Sequence, residues 1–340
     1  MSHVALRVDA GATIGAGHLS RMSSVAAVLD SRGHSYEFLI KPESYVPFLN
    51  WGISDSLIKV FDPDSVSELI GAFDCVFVDI CHAGNIRSVQ SFVDLCLAER
   101  ILTVVIDSMP PDHFECDIRH KNHADSLTLV TPYHDAQKFR PPIKLGRWLF
   151  GSRYAILSED YREIRSGLPY MREKRLLVVC GGSDPDDLSL KILHVCREFE
   201  VPTCFVIGSM FSAHLKGQLE QASATVPHLT TVSGLTNLAF EISRSSHVVG
   251  KIGLIRYETA ALGRHGIFLS EFDGYRDYLS NFSSSGLGHV FFGQEDGQEE
   301  QFLGAIRSVL GGSEAPNMCQ TAMDIVDTDG VFRILNSVGL

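Results

Sequence analysis

A histidine follows a glycine-rich turn near the N-terminus. Gly11, Gly15 and Gly17 lie between an apolar run and a helical pattern, and His18 stands in the first turn of that pattern. Glycines allow close backbone approach to a ligand, and helix N-termini attract anions. Because the helix dipole disfavours imidazolium there, His18 suits a general base acting on water or a hydroxyl. The alternative is a capping or packed histidine, and the order of the glycines is not the G-x-G-x-x-G of dinucleotide-binding folds.

A second turn of this kind follows the apolar run RLLVVC. Its residues are Gly181, Gly182, Ser183 and Asp184. A strand that ends in Gly-Gly-Ser and runs into a helix can hold a phosphate on its backbone N–H groups. Asp186 and Asp187 suit the N-cap and first turn of that helix. The alternative is a tight strand–helix turn without a ligand.

A third turn carries charged side chains. It contains Lys251, Ile252 and Gly253 after an apolar run, and a helical pattern with Arg256 and Glu258 follows. Lys251 or Arg256 could pair with a phosphate, and Glu258 could accept hydrogen bonds from sugar hydroxyls. The alternative is a solvated helix start.

Apolar runs alternate with helical patterns along most of the chain, which predicts parallel sheets covered on both faces. The predicted strands cover 3–10, 35–41, 74–80, 101–107, 175–182, 203–209, 228–234, 247–253 and 265–270. The predicted helices cover 19–33, 65–73, 89–100, 187–199, 214–223, 236–245 and 256–264, with a mostly helical tail from Gln298. The alternation falters over 108–150, where proline is frequent, and 146–164 resembles a linker that leads into a helix. We therefore expect two doubly wound domains, 1–148 and 149–340.

Composition narrows the function. Of the 340 residues 45% are hydrophobic, and 41 acidic against 29 basic residues give a net charge of −12. Such a chain is a poor general binder of nucleic acid, although a local site could bind a small anion. We see no signal peptide and no apolar run of the ~20 residues that a membrane span needs. The eight cysteines form no C-x-x-C pair, which favours a reduced, cytoplasmic protein.

We expect no metal and no cofactor. Two D-x-D pairs, a pattern that some transferases use to bind a metal, stand beside the proline or glycine of predicted turns. Four histidines lack the sequence spacing that zinc ligands usually have. They are Asp62 with Asp64, Asp327 with Asp329, and His113, His120, His123 and His134.

Several patches in order resemble one enzyme family. Gly15-Ala16-Gly17-His18 with Arg21 resembles the G-x-G-H-x-x-R opening of the nucleotide-sugar hydrolases of the pseudaminic acid pathway. These enzymes are UDP-2,4-diacetamido-2,4,6-trideoxy-β-L-altropyranose hydrolases, and they are related to the spore-coat polysaccharide group. The other similar patches are Gly151–Ile156, Gly181–Pro185 with Leu188, Asp107 with Cys116-Asp117, and Asp329-Gly330 with Arg333. The resemblance spans nearly the whole chain.

This resemblance implies a GT-B fold, as in MurG-type glycosyltransferases, with two Rossmann-like domains that face an interdomain cleft and a nucleotide held mainly by the second. It implies that water cleaves UDP from a deoxy diacetamido sugar with inversion and without metal. His18 would be the base, the Gly181–Ser183 loop would hold the diphosphate and Glu258 the ribose.

The sequence differs from the family in three patches. The turn before Glu258 lacks the serines that are usual in the family. Where the family has a D-H-Y-G patch, this chain has Asp79–Gly84 with His82, and where the family has an Asn-Gln pair, this chain has Glu271-Phe272. The last two changes fall where family members contact sugar or nucleotide, so Asp79 and His82 join the candidate site. We expect a hydrolase that releases UDP from a UDP-linked amino or deoxy sugar for nonulosonic acid or surface-glycan synthesis. The alternatives are a GT-B glycosyltransferase and a non-catalytic nucleotide-binding homologue, and the oligomeric state stays open.

Overall fold

The computed structural model describes residues 1–11, 14–60, 69–80, 86–106, 125–134, 146–168, 174–271, 276–312 and 319–340. The chain divides into two compact units. Unit 1 comprises Met1–Ser158 and Thr328–Leu340, and unit 2 comprises Glu159–Asp327. No helix among the described residues is long and apolar enough to cross a membrane.

Unit 1 contains a parallel sheet whose described strands have the order β3-β2-β1-β4-β5-β6-β7. In chain order the strands are β1 (His3–Val8), β2 (Ser35–Ile40), β3 (Ile58–Val60), β4 (Cys75–Asp79), β5 (Leu102–Ile106), β6 (Leu127–Thr131) and β7 (Arg147–Phe150). The helices in this part of the chain are α1 (Gly17–Ser31), α2 (Tyr45–Asn50) and α3 (Ile86–Ala98). The strand order reverses between β1 and β4, and ligands bind at such switch points, beyond the carboxyl ends of the strands.

Apolar patterning explains why β1 and α1 form where they do. Most of β1 is buried, because one face of the sheet packs under α1 and the other under α3. Val25, Val28 and Leu29 of α1 are buried, as the sequence predicts. The helix ends at Ser31, and Gly33 just beyond it has a φ of 75°, the left-handed conformation that glycine adopts at little cost.

Unit 2 is a second parallel sheet, whose described strands have the order β10-β9-β8-β11-β12-β13. Its strands are β8 (Leu176–Val179), β9 (Thr203–Ile207), β10 (Leu229–Ser233), β11 (His247–Lys251), β12 (His265–Ser270) and β13 (His289–Phe292). Its helices are α4 (Glu159–Arg165), α5 (Leu188–Cys196), α6 (Ala213–Thr225), α7 (Ala239–Ser243), α8 (Ile255–Ala261), α9 (Arg276–Ser284), α10 (Gln298–Gly311) and α11 (Gln320–Ile325). The order reverses between β8 and β11, so both glycine-containing turns of this unit lie at its switch point.

The predicted division into 1–148 and 149–340 differs from the structure at both ends. Leu149 and Ile156 pack in the core of unit 1, so this unit continues to Ser158. The last helix, α12 (Gly330–Ser337), belongs to unit 1 as well, because Val331 and Leu335 are buried in the same core. An apolar helix at the end of the chain does not reveal from its sequence which core it joins.

Four strands were not predicted, namely β3, β6, β7 and β13. Strand β3 has three residues and β7 has four, which is too short for a clear pattern. Proline-containing sequence flanks β6, and β7 lies in a segment whose sequence predicts a linker, so neither strand is evident from the pattern. Residues 65–68 of the predicted helix 65–73 lie outside the described residues.

Candidate functional site

The first glycine-rich turn folds back on itself beyond the end of β1. Gly11 and Gly15 form an isolated antiparallel bridge, and the Gly15 N–H donates to the Gly11 carbonyl at 2.7 Å. Gly15 has a φ of 81°, in the left-handed region that favours glycine. This turn starts α1 at Gly17 and places His18 at the switch point of unit 1.

His18, Arg21 and Asp79 form a buried cluster at that switch point. The register pairs Val8 of β1 with Asp79 of β4, so the carboxylate lies beside the strand that leads into the turn. Arg21 Nε donates to Asp79 Oδ2 at 2.8 Å, and Arg21 Nη2 donates to Asp79 Oδ1 at 2.7 Å. His18 Nδ1 lies 2.7 Å from the same Oδ1 atom and 2.8 Å from Arg21 Nη2. Asp79 is 0% exposed, and His18 and Arg21 are each 9% exposed.

Arg21 keeps Asp79 ionised. Complete burial on its own raises the pKa of the Asp79 carboxyl, but the charge of Arg21, the ring of His18 and their hydrogen bonds outweigh it and hold the pKa at about 2. Arg21 and Asp79 carry opposite charges, so the cluster with a neutral imidazole has no net charge.

The charge on Asp79 decides which tautomer of His18 suits the cluster. An ionised carboxylate only accepts hydrogen bonds, and Arg21 Nη2 already donates to Asp79 Oδ1. We therefore assign the proton to Nδ1, which donates to the same oxygen, so that the 2.8 Å contact of Nδ1 with Arg21 Nη2 is not a hydrogen bond. The neutral ring then has its lone pair on Nε2, the arrangement of a general base oriented by a carboxylate. The sequence suggests His18 as a base, and the structure places the Asp79 carboxylate against its ring.

A second buried ion pair lies close by on β1. Arg7 donates from both terminal nitrogens to the two carboxylate oxygens of Asp9, each at 2.6 Å, and the backbone N–H of Lys41 also donates to Asp9. The Ala10 N–H donates to the Ser44 hydroxyl at 3.1 Å. These contacts fix the start of the glycine-rich turn. Sequence reasoning missed this pair, although an Arg and an Asp two residues apart on one face of a buried strand are a signal.

The Gly181–Asp184 loop of unit 2 has exposed peptide groups. Gly181 has a φ of 84°, and a Cβ on Gly208 would lie 2.4 Å from the Gly182 carbonyl oxygen, so the strand behind the loop packs directly on its backbone. Among the described residues, the N–H groups of Gly182 and Ser183 donate no hydrogen bond. Two such N–H groups beside a helix start are suited to an anion.

Asp184 has a different place from the one predicted. Its carboxylate is buried and accepts hydrogen bonds from the backbone of Leu188 and Ser189, at 3.0 and 2.9 Å, and from the Ser189 hydroxyl. It therefore caps α5 and positions the loop, and it is unsuited to binding a phosphate. Asp187 is the residue before the helix, but its left-handed φ of 52° leaves its side chain without a capping bond. Asp187 thus occupies the predicted N-cap position, but Asp184 supplies the capping hydrogen bonds.

Lys251 lies at the end of β11 between two carboxylates. Its ammonium is 3.2 Å from Asp186 Oδ2 and also contacts Glu271 at the end of β12. Partial burial lowers the pKa of Lys251, but the two carboxylates outweigh it and raise the pKa above its usual value. The charge that we expected to meet a phosphate is therefore already balanced.

The rest of this turn is held by the backbone. Ile252 N–H donates to the Leu269 carbonyl at 2.9 Å, and the Gly253 carbonyl accepts a hydrogen bond from the Arg256 side chain at 2.9 Å. Arg256 therefore faces its own turn instead of presenting an unoccupied cation.

Glu258 is buried in α8. It is 6% exposed, and burial raises the pKa of its carboxyl to about 7, against a smaller opposing effect of the Tyr161 hydroxyl. This position is not the solvated helix start of the alternative interpretation.

The predicted residues thus collect at two places. Gly15, Gly17, His18, Arg21 and Asp79 lie together in unit 1, and the remaining described ones lie around the switch point and α8 of unit 2. His82 lies outside the described residues, as do Asp62, Asp64, His113, His120 and His123. Within the described part of the chain, no three His, Cys, Asp or Glu residues are placed to hold a metal ion.

Comparison with known proteins gives the fold. No protein-family model and no curated protein matches the chain. Among solved structures, MurG of Acinetobacter baumannii has a TM-score of 0.63 at 12% identity, over 100% of this chain and 99% of that one. The spinosyn rhamnosyltransferase SpnG with thymidine diphosphate has a TM-score of 0.58 at 13% identity, over 100% of both chains. The UDP-GlcNAc 2-epimerase of Methanocaldococcus jannaschii has a TM-score of 0.53 at 9% identity, over 99% of both. The two parallel α/β units and these likenesses show that the chain has the GT-B fold.

Proposed function

We propose that this protein is an enzyme that acts on a nucleotide sugar, and that it is an inverting hydrolase. The observation that carries the proposal is the buried His18–Asp79–Arg21 cluster. A carboxylate that orients a histidine prepares it to take a proton from water. The GT-B fold and the resemblance of Gly15–His18 with Arg21 to nucleotide-sugar hydrolases support the same substrate class.

The proposed reaction is one displacement by water. A water proton passes to Nε2 of His18 while the water oxygen bonds to the anomeric carbon. The bond from that carbon to the phosphate oxygen breaks, and its electron pair leaves with UDP. The N–H groups of Gly182 and Ser183 stabilise the negative charge on the departing diphosphate, and Glu258 binds the ribose. The substrate is a UDP-linked amino or deoxy sugar, of the kind used in nonulosonic acid or surface-glycan synthesis.

His18→Asn tests the role of the base. We expect UDP binding to stay within a few-fold of the original, while turnover of a UDP-linked diacetamido sugar falls by roughly 10²- to 10⁴-fold. His34→Asn is the matched control, because His34 lies just beyond the other end of α1 and its ring accepts a hydrogen bond from the Ser2 backbone N–H. A His18→Asn protein with the original rate would remove His18 from the chemistry.

A glycosyltransferase is the second candidate, because MurG and SpnG share the fold. In that reaction His18 would deprotonate an acceptor hydroxyl instead of water. UDP release with and without a carbohydrate acceptor separates the two activities. Release that needs no acceptor supports the hydrolase, and release only with an acceptor supports the transferase. Binding without turnover would favour a non-catalytic homologue.

A further inference from the structure

The Gly181–Asp184 loop packs on the turn that follows β9. A Cβ on Gly208 would lie 2.4 Å from the Gly182 carbonyl oxygen and 2.6 Å from the Gly181 carbonyl oxygen, so both carbonyls face this glycine. The Met210 backbone N–H donates to the same Gly182 oxygen at 2.9 Å. The loop is therefore held from behind by backbone contacts with the turn.

These contacts also fix the direction of two N–H groups. In a trans peptide the C=O of one residue and the N–H of the next lie in one plane and point in opposite directions. Because the Gly181 and Gly182 carbonyls face Gly208, the N–H groups of Gly182 and Ser183 point away from it. Neither N–H group donates a hydrogen bond among the described residues. Two unused donors on one side of a loop are suited to an anion.

The backbone around the loop leaves no room for a side chain at position 208. Strand β9 is paired on both sides, with β8 and β10, so the start of its turn cannot move back. On the other side of β8, a Cβ on Gly250 of β11 would lie 1.9 Å from the Val179 carbonyl oxygen. Both neighbours of β8 thus meet its end with a glycine, and a methyl group at position 208 would have to push the loop outward.

The distances give the size of that displacement. The contact between the new Cβ and the Gly182 oxygen would have to lengthen from 2.4 Å to an ordinary 3.4 Å, a movement of about 1 Å. A hydrogen bond from the loop that is lengthened by this amount falls outside the normal range of donor–acceptor distances. A single methyl group behind the loop should therefore be felt by a ligand in front of it.

We propose that Gly208 is a positioning residue for the diphosphate: together with the Met210 N–H it holds the Gly181 and Gly182 carbonyls against β9, and so directs the N–H groups of Gly182 and Ser183 towards the ligand before it binds. This inference rests on the proposed function, in which these N–H groups stabilise the charge of the diphosphate. It adds the turn after β9, which the sequence presents only as the end of a strand.

Gly208→Ala tests the inference. The measurements are calorimetric titration with UDP, and displacement of UDP by inorganic pyrophosphate, which has the diphosphate and no nucleoside. We expect the dissociation constants of both ligands to rise by the same factor, roughly 10- to 100-fold, because a hydrogen bond to a charged group is lost. A rise for UDP without one for pyrophosphate would place the effect on the nucleoside and overturn the inference.

Gly266→Ala is the matched control. Its Cβ would lie 2.3 Å from the Phe268 ring in β12 of the same sheet, near the amino end of the strands and not at the loop. We expect it to leave both dissociation constants unchanged. A merely structural role of Gly208 would lower the fraction of protein that binds, and hence the stoichiometry, while the dissociation constants of the remaining protein stay the same.

Amide spectra of the original protein provide a second test, which does not depend on whether Gly208→Ala folds. Hydrogen bonding to a phosphate changes the magnetic environment of an amide directly. The nitrogen and proton resonances of Gly182 and Ser183 should therefore shift when UDP is added, and pyrophosphate should shift the same two resonances.

The outcomes separate the two proposals. If UDP binds the original protein, the inference is overturned by unchanged dissociation constants in Gly208→Ala, by failure of pyrophosphate to displace UDP, or by Gly182 and Ser183 resonances that stay in place. Each of these results leaves His18 as the proposed base of a nucleotide-sugar hydrolase. Failure of both UDP and a UDP-linked sugar to bind the original protein overturns the proposed function and the positioning role with it.

Discussion

Replacing Asp79 with Asn should destabilise unit 1 because it leaves Arg21 as a buried charge without its counter-ion. The surroundings hold the pKa of Asp79 at about 2 against an ordinary value of 3.8, which corresponds to roughly 2 to 3 kcal/mol at neutral pH. The pKa is lower in the folded state. This stability is therefore present above about pH 4 and is lost as the pH falls towards 2. Breaking a buried pair from one side costs about 3 to 5 kcal/mol. We therefore expect Asp79→Asn to lower the free energy of unfolding of unit 1 by roughly 2 to 5 kcal/mol.

The double variant Asp79→Asn/Arg21→Met tests the cause of that loss. It removes both charges, and replacing a whole buried pair by neutral side chains is often close to neutral. We expect it to recover most of the lost stability while the orientation of His18 stays lost. Asp9→Asn is the comparison for the cost of a broken buried pair, since it breaks the Arg7–Asp9 pair and should destabilise unit 1 while Asp79 keeps its hydrogen bonds with Arg21.

Tryptophan fluorescence during urea denaturation is the appropriate assay. The chain has two tryptophans, Trp51 and Trp148, and both belong to unit 1, so the signal reports on this unit. A loss below about 1 kcal/mol in Asp79→Asn, or a double variant no more stable than the single one, would refute the reasoning.

Three further substitutions test the charge around Lys251 and the packing at two glycines. Glu271→Gln removes one carboxylate from Lys251, so UDP should bind about two- to fivefold more tightly at low ionic strength. The gain in affinity should decrease as salt is added. Weaker UDP binding by calorimetry would contradict this charge argument. Gly330→Ala places a Cβ 2.0 Å from the Ala155 carbonyl oxygen and should cost unit 1 about 1 to 3 kcal/mol by tryptophan fluorescence. The same change at Gly304, where an added Cβ would meet nothing within 4 Å, should instead stabilise its helix by about 0.5 to 1 kcal/mol, measured by circular dichroism. Equal effects at the two glycines would contradict the packing argument.

The sequence reveals much of the unit 1 site, because its signals are local. Gly15, Gly17, His18 and Arg21 lie within seven residues, and a helix places positions three apart on one face. Asp79 is found as a candidate, but not as the partner of His18 and Arg21. That pairing depends on β4 lying next to β1, which the chain order of the strands does not state.

The unit 2 site is less predictable, because its side chains depend on distant neighbours. Nothing near Lys251 in the sequence indicates that Glu271 and Asp186 balance its charge. The sequence does not show that Asp184 supplies the capping hydrogen bonds of α5, because the left-handed backbone at Asp187 is not visible in the pattern.

The return of α12 to unit 1 has a consequence for how the chain is made. Unit 2 is one continuous stretch, Glu159–Asp327, and all of it emerges from the ribosome before the segment Thr328–Leu340. Val331 and Leu335 reach the core of unit 1 only then. The unit that is synthesised first therefore completes its core last, because these side chains are made only after unit 2.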